Sequence, residues 1–97
     1  MNFSFYPDDI KFIDQVLDKN NVSHGFISYG SGNRLLFLSR LSLSMIHYHK
    51  VKPIHLWIDK KWIDKEPEFI INLDPNDFGF NKFKTISNDN IFIHILK

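Results

Sequence analysis

Two histidines separated by one residue are the first feature of this sequence that could support chemistry. His47 and His49 would project from the same face of a β-strand, where two imidazoles could converge on a metal ion. Such a site needs further ligands, for example His24, His55 or His94, whose spacing along the chain says nothing about their distance. Because two histidines on the solvated face of a strand explain the pattern more simply, we predict no metal ion and no cofactor.

The same five histidines could also supply the acid and the base of a phosphodiester-cleaving enzyme. Lys50 and Lys52 would then provide a cation over the phosphate. Any five histidines in a small domain would offer these groups, so the pattern has little specificity. A histidine-dependent metal or phosphodiester enzyme is therefore the first alternative, and we predict no catalytic residue.

Other catalytic patterns are absent from the sequence. There is no cysteine nucleophile. The segment Gly30-Ser31-Gly32-Asn33 lacks the third glycine of a dinucleotide-binding loop, and we expect no helix after it. The two glutamates, Glu66 and Glu68, flank a proline in an expected loop and do not form a carboxylate pair. These observations favour a protein that is not an enzyme.

A basic and aromatic stretch between residues 50 and 68 could bind single-stranded nucleic acid. Its lysines alternate with Trp57 and Trp62, which suits bases stacked beside a basic groove. However, its five lysines are opposed by two aspartates and two glutamates, which leaves a net charge of +1. The whole chain holds only two arginines for bidentate contacts. A nucleic-acid-binding module is therefore the second alternative, and nucleic acid is not the partner we expect.

Among the functions considered, protein binding explains the aromatic and acidic side chains of this sequence with the fewest assumptions. An exposed tryptophan at 57 or 62 would be a natural hot spot, although either ring could also belong to the core. Asp14 and Asp18 are one turn apart on the expected outer face of a helix, where like charges cost local stability. Asp74 and Asp77 belong to an expected turn. The predicted partner-binding residues are Asp14, Asp18, Trp57, Trp62, Asp74 and Asp77.

The composition of the 97 residues is that of one folded domain, which we place at 1–97. Hydrophobic residues make up 43% of the chain and the net charge is +1, which excludes a disordered chain and gives no strong attraction to nucleic acid or anionic lipid. The absence of cysteine excludes a disulfide-stapled scaffold. The N-terminus lacks the basic start of a signal peptide, and no apolar run approaches a membrane span. We therefore expect a cytoplasmic protein that does not contact a membrane.

The periodicity of apolar residues predicts the elements that position these side chains. Residues 8–20 form an amphipathic helix, since Pro7 suits a helix start and the apolar residues share one arc. Short β-prone segments surround it, with strands expected over 2–6 and from 40 to about 49. The turn signal at 30–33 predicts a hairpin of 22–29 with 34–39. Later strands are expected over 54–58, 68–73, 80–86 and 91–96, with turns at 74–77 and 87–90.

These elements predict an α+β fold in which the N-terminal helix packs on a mainly antiparallel sheet of five or six strands. The strands are spaced too closely for β-α-β crossovers under this assignment. The expected function is stoichiometric inhibition of a toxic enzyme, most simply a nuclease, by a bacterial immunity or antitoxin protein. A residue bias typical of AT-rich mobile bacterial genes agrees with this expectation. The partner would be the cognate toxin or another protein enzyme, while the oligomeric state stays open.

Overall fold

The computed structural model describes residues 6–53 and 65–96, and a six-stranded sheet forms its framework. The chain forms α1 (Asp8–Lys19), β1 (His24–Ser28), α2 (Tyr29–Leu38), β2 (Ser44–His49), β3 (Lys52–Pro53), β4 (Phe69–Ile71), a 3-10 helix (Pro75–Phe78), β5 (Lys84–Asn88) and β6 (Ile91–Ile95). The strand order is β3-β2-β1-β4-β6-β5. Strand β1 is parallel to β2 and β4, and the other neighbouring pairs are antiparallel. The α+β class is confirmed, and the sheet is mixed, with two parallel and three antiparallel pairs of neighbouring strands.

Helix α1 forms where the periodicity predicted it. Asp8 and Asp9 occupy its first turn, where their charges meet the positive end of the helix dipole. Its buried apolar side chains Ile10, Ile13 and Leu17 belong to the main core. The strand expected over 2–6 lies almost entirely outside the described residues.

The predicted hairpin of 22–29 with 34–39 is wrong, because residues 29–38 form helix α2. Strands β1 and β2 are parallel, with His24 opposite Ser44 and Ser28 opposite Tyr48. Helix α2 is therefore the crossover of a β-α-β unit, and the prediction that the strands are too closely spaced for such a unit is wrong. Residues 29–43 supply the dozen or more residues that such a connection requires, once no strand is assigned to 34–39.

The remaining strands agree with the sequence in position and differ in their bounds. Strands β2, β4 and β6 lie within the segments predicted over 40–49, 68–73 and 91–96. Strand β5 begins and ends later than the segment predicted over 80–86. The turn expected at 74–77 is the 3-10 helix, and the strand expected over 54–58 falls outside the described residues.

The two faces of the sheet are covered differently. Ile27, Phe69 and Ile71 share one core with α1 and with Leu35 of α2. Phe26, Ile46 and Ile70 form a second core on the opposite face, where Phe78 and Tyr48 pack against them. Within residues 6–53 and 65–96, no helix is long and apolar enough to cross a membrane.

Candidate functional site

Asn72 joins three elements at the end of strand β4. Its side-chain amide donates a hydrogen bond to the hydroxyl of Ser31 in the first turn of α2, at 3.0 Å. Its side-chain oxygen accepts a hydrogen bond from the backbone N–H of Phe92 at 2.8 Å, and its own N–H donates to the Phe92 carbonyl at 2.9 Å. Asn72 adopts a left-handed conformation, with φ 57°, which asparagine tolerates better than most residues. The start of α2 and the start of β6 are therefore held together at this edge of the sheet.

A shallow cavity of about 370 Å³ opens beside this junction. Its walls come from the end of β4 and from β6 with the turn that precedes it. The lining residues are Asn72, Leu73, Asp74, Asn90, Phe92 and His94. Phe92 is 47% exposed and presents an aromatic surface to solvent. The cavity therefore combines one carboxylate, one imidazole and one accessible ring.

His94 is held in place by the neighbouring strand. Its Nδ1 lies 2.8 Å from the hydroxyl oxygen of Thr85, which is opposite it in the β5–β6 pair. The ring of Phe83 meets the imidazole edge-on, with 5.2 Å between centroids. Burial lowers the pKa of His94, and the charge of Asp74 opposes that effect in part. His94 is therefore an oriented imidazole whose burial favours the uncharged form.

Asp74 is exposed, as predicted for a partner-binding residue, but part of its side chain has a structural role. One carboxylate oxygen, Oδ1, accepts hydrogen bonds from the backbone N–H of Asn76 at 2.9 Å and from its side-chain amide at 3.1 Å. This is the usual N-cap arrangement at a helix start. Asp77 is also exposed, in the first turn of the 3-10 helix.

The outer face of α2 carries exposed apolar side chains that are not among the predicted partner-binding residues. Phe37 is 81% exposed, Leu36 52% and Tyr29 44%. At 3.6 residues per turn, these three side chains and Asn33 lie within an arc of about 100°. The opposite side of α2 is buried through Gly32 and Leu35. We call this outer face, formed by Tyr29, Asn33, Leu36 and Phe37, the α2 patch.

The α2 patch has no net charge of its own. Arg34 is the one charged residue of α2, and its guanidinium makes a two-point ion pair with Asp9 of α1, at 2.9 and 3.0 Å. This contact lowers the pKa of the Asp9 carboxyl. Gly30, in the first turn of α2, has no heavy atom within 4 Å of the position that a side chain would occupy. Another surface could therefore approach this turn closely.

The prediction that Asp14 lies on the outer face of α1 is wrong, because Asp14 is only 3% exposed. Its carboxylate accepts hydrogen bonds from the hydroxyls of Tyr6 and Ser39, each at 2.6 Å, and from the backbone N–H of Arg40 at 2.9 Å. Burial and the hydrogen bond to Asp14 raise the pKa of Tyr6 to about 12. The Arg40 guanidinium lies 3.9 Å from the centre of the Tyr6 ring. Asp14 therefore ties α1 to the end of α2.

The other predicted contact residues are dispersed or lie outside the described residues. Asp18 is exposed and borders a separate cavity of about 170 Å³ with Leu41 and Asn21. Trp57 and Trp62 lie within 54–64, which is not described. Of the four predicted residues that the structure describes, Asp14 is buried, while Asp18 and Asp74 border different cavities, so these four do not form one surface.

The histidines that were considered as metal ligands, with no metal ion predicted, occupy different environments. His49 is exposed, whereas Nε2 of His47 is buried beneath α2 and has no hydrogen-bond partner within the described part of the chain. His24 is 1% exposed, with Nδ1 3.2 Å from the Ser44 hydroxyl and Nε2 3.3 Å from the Lys65 carbonyl. Burial lowers the pKa of His24. His55 lies outside the described residues, among which no group of three His, Cys, Asp or Glu could hold a metal ion.

The sequence contained one signal for the missed surface. Gly32 and Leu35, three residues apart, could share the buried side of a helix. The adjacent apolar residues Leu36 and Phe37 would then lie outside that buried side.

Neither a known family model, nor a curated protein, nor a solved structure matches the chain.

Proposed function

We propose that this protein acts by stoichiometric binding of another protein, with the α2 patch as its contact surface. The observation that carries the proposal is the exposure of Phe37, 81%, beside Leu36 and Tyr29. Isolated exposed apolar residues are common on protein surfaces, but adjacent ones on a single helix face are typical of interaction sites. Large aromatic side chains also supply much of the binding free energy at protein interfaces.

The chemistry of the α2 patch indicates the kind of surface that would cover it. Since Arg34 is neutralised by Asp9, a charged partner surface would lose hydration here without gaining an ion pair. An uncharged apolar groove would accept Phe37 and Leu36, and Asn33 would provide a polar contact. The occupant is therefore a partner protein with an apolar groove.

We place this binding activity in the class of immunity or antitoxin proteins that neutralise a toxic enzyme, most simply a nuclease, in the bacterial cytoplasm. Such a protein needs no catalytic group, because it acts by excluding substrate. The small size of the chain and its AT-rich residue bias are consistent with this class. The exposed carboxylates could meet the basic surface that a nuclease offers to phosphates.

The proposal is tested by titrating the enzymatic activity of the protein encoded by the neighbouring gene. Stoichiometric inhibition predicts that activity falls linearly with added protein and disappears at one equivalent. Multiple turnover of any substrate by the isolated chain would support the histidine-dependent enzyme instead. Saturable oligonucleotide binding with a steep salt dependence would support the nucleic-acid-binding module.

A further inference from the structure

We propose that the cavity beside Asn72 is a binding site for a guanidinium group, the side chain of an arginine presented by another protein. This cavity is the one of about 370 Å³ lined by residues of β4, β6 and the turn before β6. The proposal rests on the proposed function only in naming a protein as the source of the arginine. The cavity itself can be tested without that protein.

The charge of the cavity favours a cation. Asp74 provides the one carboxylate among its six lining residues, which include no lysine or arginine, and burial of His94 disfavours its positive charge. The Oδ1 atom of Asp74 is used by Asn76, whereas Oδ2 has no hydrogen-bond partner within 6–53 and 65–96. A ligand with N–H donors and a positive charge would use this oxygen, and charge-assisted hydrogen bonds are among the stronger ones.

The aromatic side chain in the cavity wall favours a planar cation over a compact one. Phe92 lines the cavity and is 47% exposed, and a guanidinium can lie flat on such a ring. The same planar group can direct two N–H donors at a carboxylate, whereas a lysine ammonium is a point charge. Asn90 adds an amide oxygen that can accept a further hydrogen bond.

The walls of the cavity are held in place before any ligand arrives. The side chain of Asn72 already bonds Ser31 and the backbone of Phe92, so it sets the position of Phe92 and is not available to a ligand. The hydroxyl of Thr85 fixes the imidazole of His94. A site formed in advance loses less ordering entropy when it binds.

The experiment follows the backbone amide NMR signals of the full chain during titration with N-acetyl-arginine amide. The matched control ligand is the citrulline derivative, which has the same shape and no charge. We expect saturable shifts at Asp74, Asn90 and Phe92 with a Kd on the order of 1–10 mM, which is reasonable for so small a ligand. The citrulline derivative should bind at least about tenfold more weakly, which corresponds to about 1.4 kcal/mol.

Two variants with the same change of charge separate the site from general electrostatics. Asp74→Asn keeps an oxygen for the N–H of Asn76 and should raise the Kd for the arginine probe about tenfold. Asp77→Asn, three residues away and outside the cavity lining, should leave the Kd within about twofold. The absence of saturable shifts up to about 50 mM, equal binding of citrulline, or equal effects of the two variants would each overturn the proposal.

The outcome is independent of the proposed function. If the arginine probe binds as expected and no protein partner binds the chain, the guanidinium site is supported and the proposed stoichiometric inhibition is contradicted. If a partner binds while the arginine probe does not, the cavity proposal fails and the proposed function stands.

Discussion

The backbone of Gly32 in α2 packs directly against the imidazole ring of His47 in β2. A side chain at Gly32 would overlap the His47 ring and would lie 3.0 Å from Cγ2 of Ile27. The φ angle of Gly32 is not positive, so its backbone conformation does not require glycine. Glycine is required because the neighbouring side chains leave no room for a Cβ atom. This contact brings α2 onto the sheet and turns its opposite face, with Phe37, outward.

Replacing Gly32 with alanine should therefore destabilise the protein despite the better helix propensity of alanine. We expect Gly32→Ala to lower the free energy of unfolding by about 1–3 kcal/mol, because the crowded His47 ring must move. Urea denaturation followed by circular dichroism measures this change.

Gly30→Ala is the matched control in the same helix. No heavy atom lies within 4 Å of the added carbon, so alanine should raise the free energy of unfolding by about 0.5–1 kcal/mol. If both variants were equally stable, the packing of α2 against β2 would be contradicted.

Asp14 should contribute to stability and not to partner recognition. Asp14→Ala leaves the hydroxyls of Tyr6 and Ser39 and the N–H of Arg40 without their acceptor, so the free energy of unfolding should fall by about 3 kcal/mol or more. The exposed Asp18, one helical turn away, is the control. Asp18→Ala should change stability by no more than about 0.5 kcal/mol, and a similar loss in both variants would place Asp14 at the surface after all.

The protein should lose stability as the pH falls below about 6.5. Burial lowers the pKa of His24 and of His94 in the folded state, so the unfolded chain binds protons first as the solution becomes acidic. Their contribution to the free energy of unfolding is therefore fully present above the pKa that they have in the unfolded chain. It is lost as the pH falls through the lower pKa values that they have in the folded protein. Urea midpoints at about pH 7.5 and 5.5 measure the loss.

His24→Gln should reduce this loss between the two pH values, because it removes one of the two imidazoles whose pKa is lowered by burial. His49→Gln, at an exposed position in β2, should leave the loss unchanged. Equal urea midpoints for the wild-type protein at both pH values would contradict the effect of burial on the pKa of His24 and His94.

Helix α1 could be predicted from the sequence because local signals and packing agree there. The proline at position 7, the aspartates of the first turn and the spacing of Ile10, Ile13 and Leu17 all indicate the same element. The apolar alternation of 91–96 similarly predicted β6. In both segments, the residues that indicate the element also form its buried face.

Helix α2 could not be predicted because Gly32 has a long-range role. Gly30-Ser31-Gly32-Asn33 has the composition of a turn, yet Gly32 is required by His47, fifteen positions later in the chain. Such a contact exists only after β1 and β2 have paired in parallel. The hairpin prediction therefore failed together with the exclusion of a β-α-β unit.

The candidate site was predicted only in part, for the same reason. Asp74 and Asp77 are exposed as expected from their turn-forming neighbours. Asp14 is buried because Ser39 and Arg40, at the end of an unexpected helix, fold over it. The cavity beside Asn72 depends on the pairing of β4 with β6, which no local pattern indicates.

Calorimetric titration with the neighbouring gene product tests the role of the α2 patch most directly. The wild-type protein and Val51→Glu, altered at an apolar residue that is 54% exposed in the β2–β3 turn, should bind with equal affinity at one equivalent. Phe37→Glu should weaken binding by about 2 kcal/mol or more, since it places a charge in the centre of an apolar contact. Equal affinity of Phe37→Glu and the wild-type protein, or the absence of binding by both, would contradict the proposal.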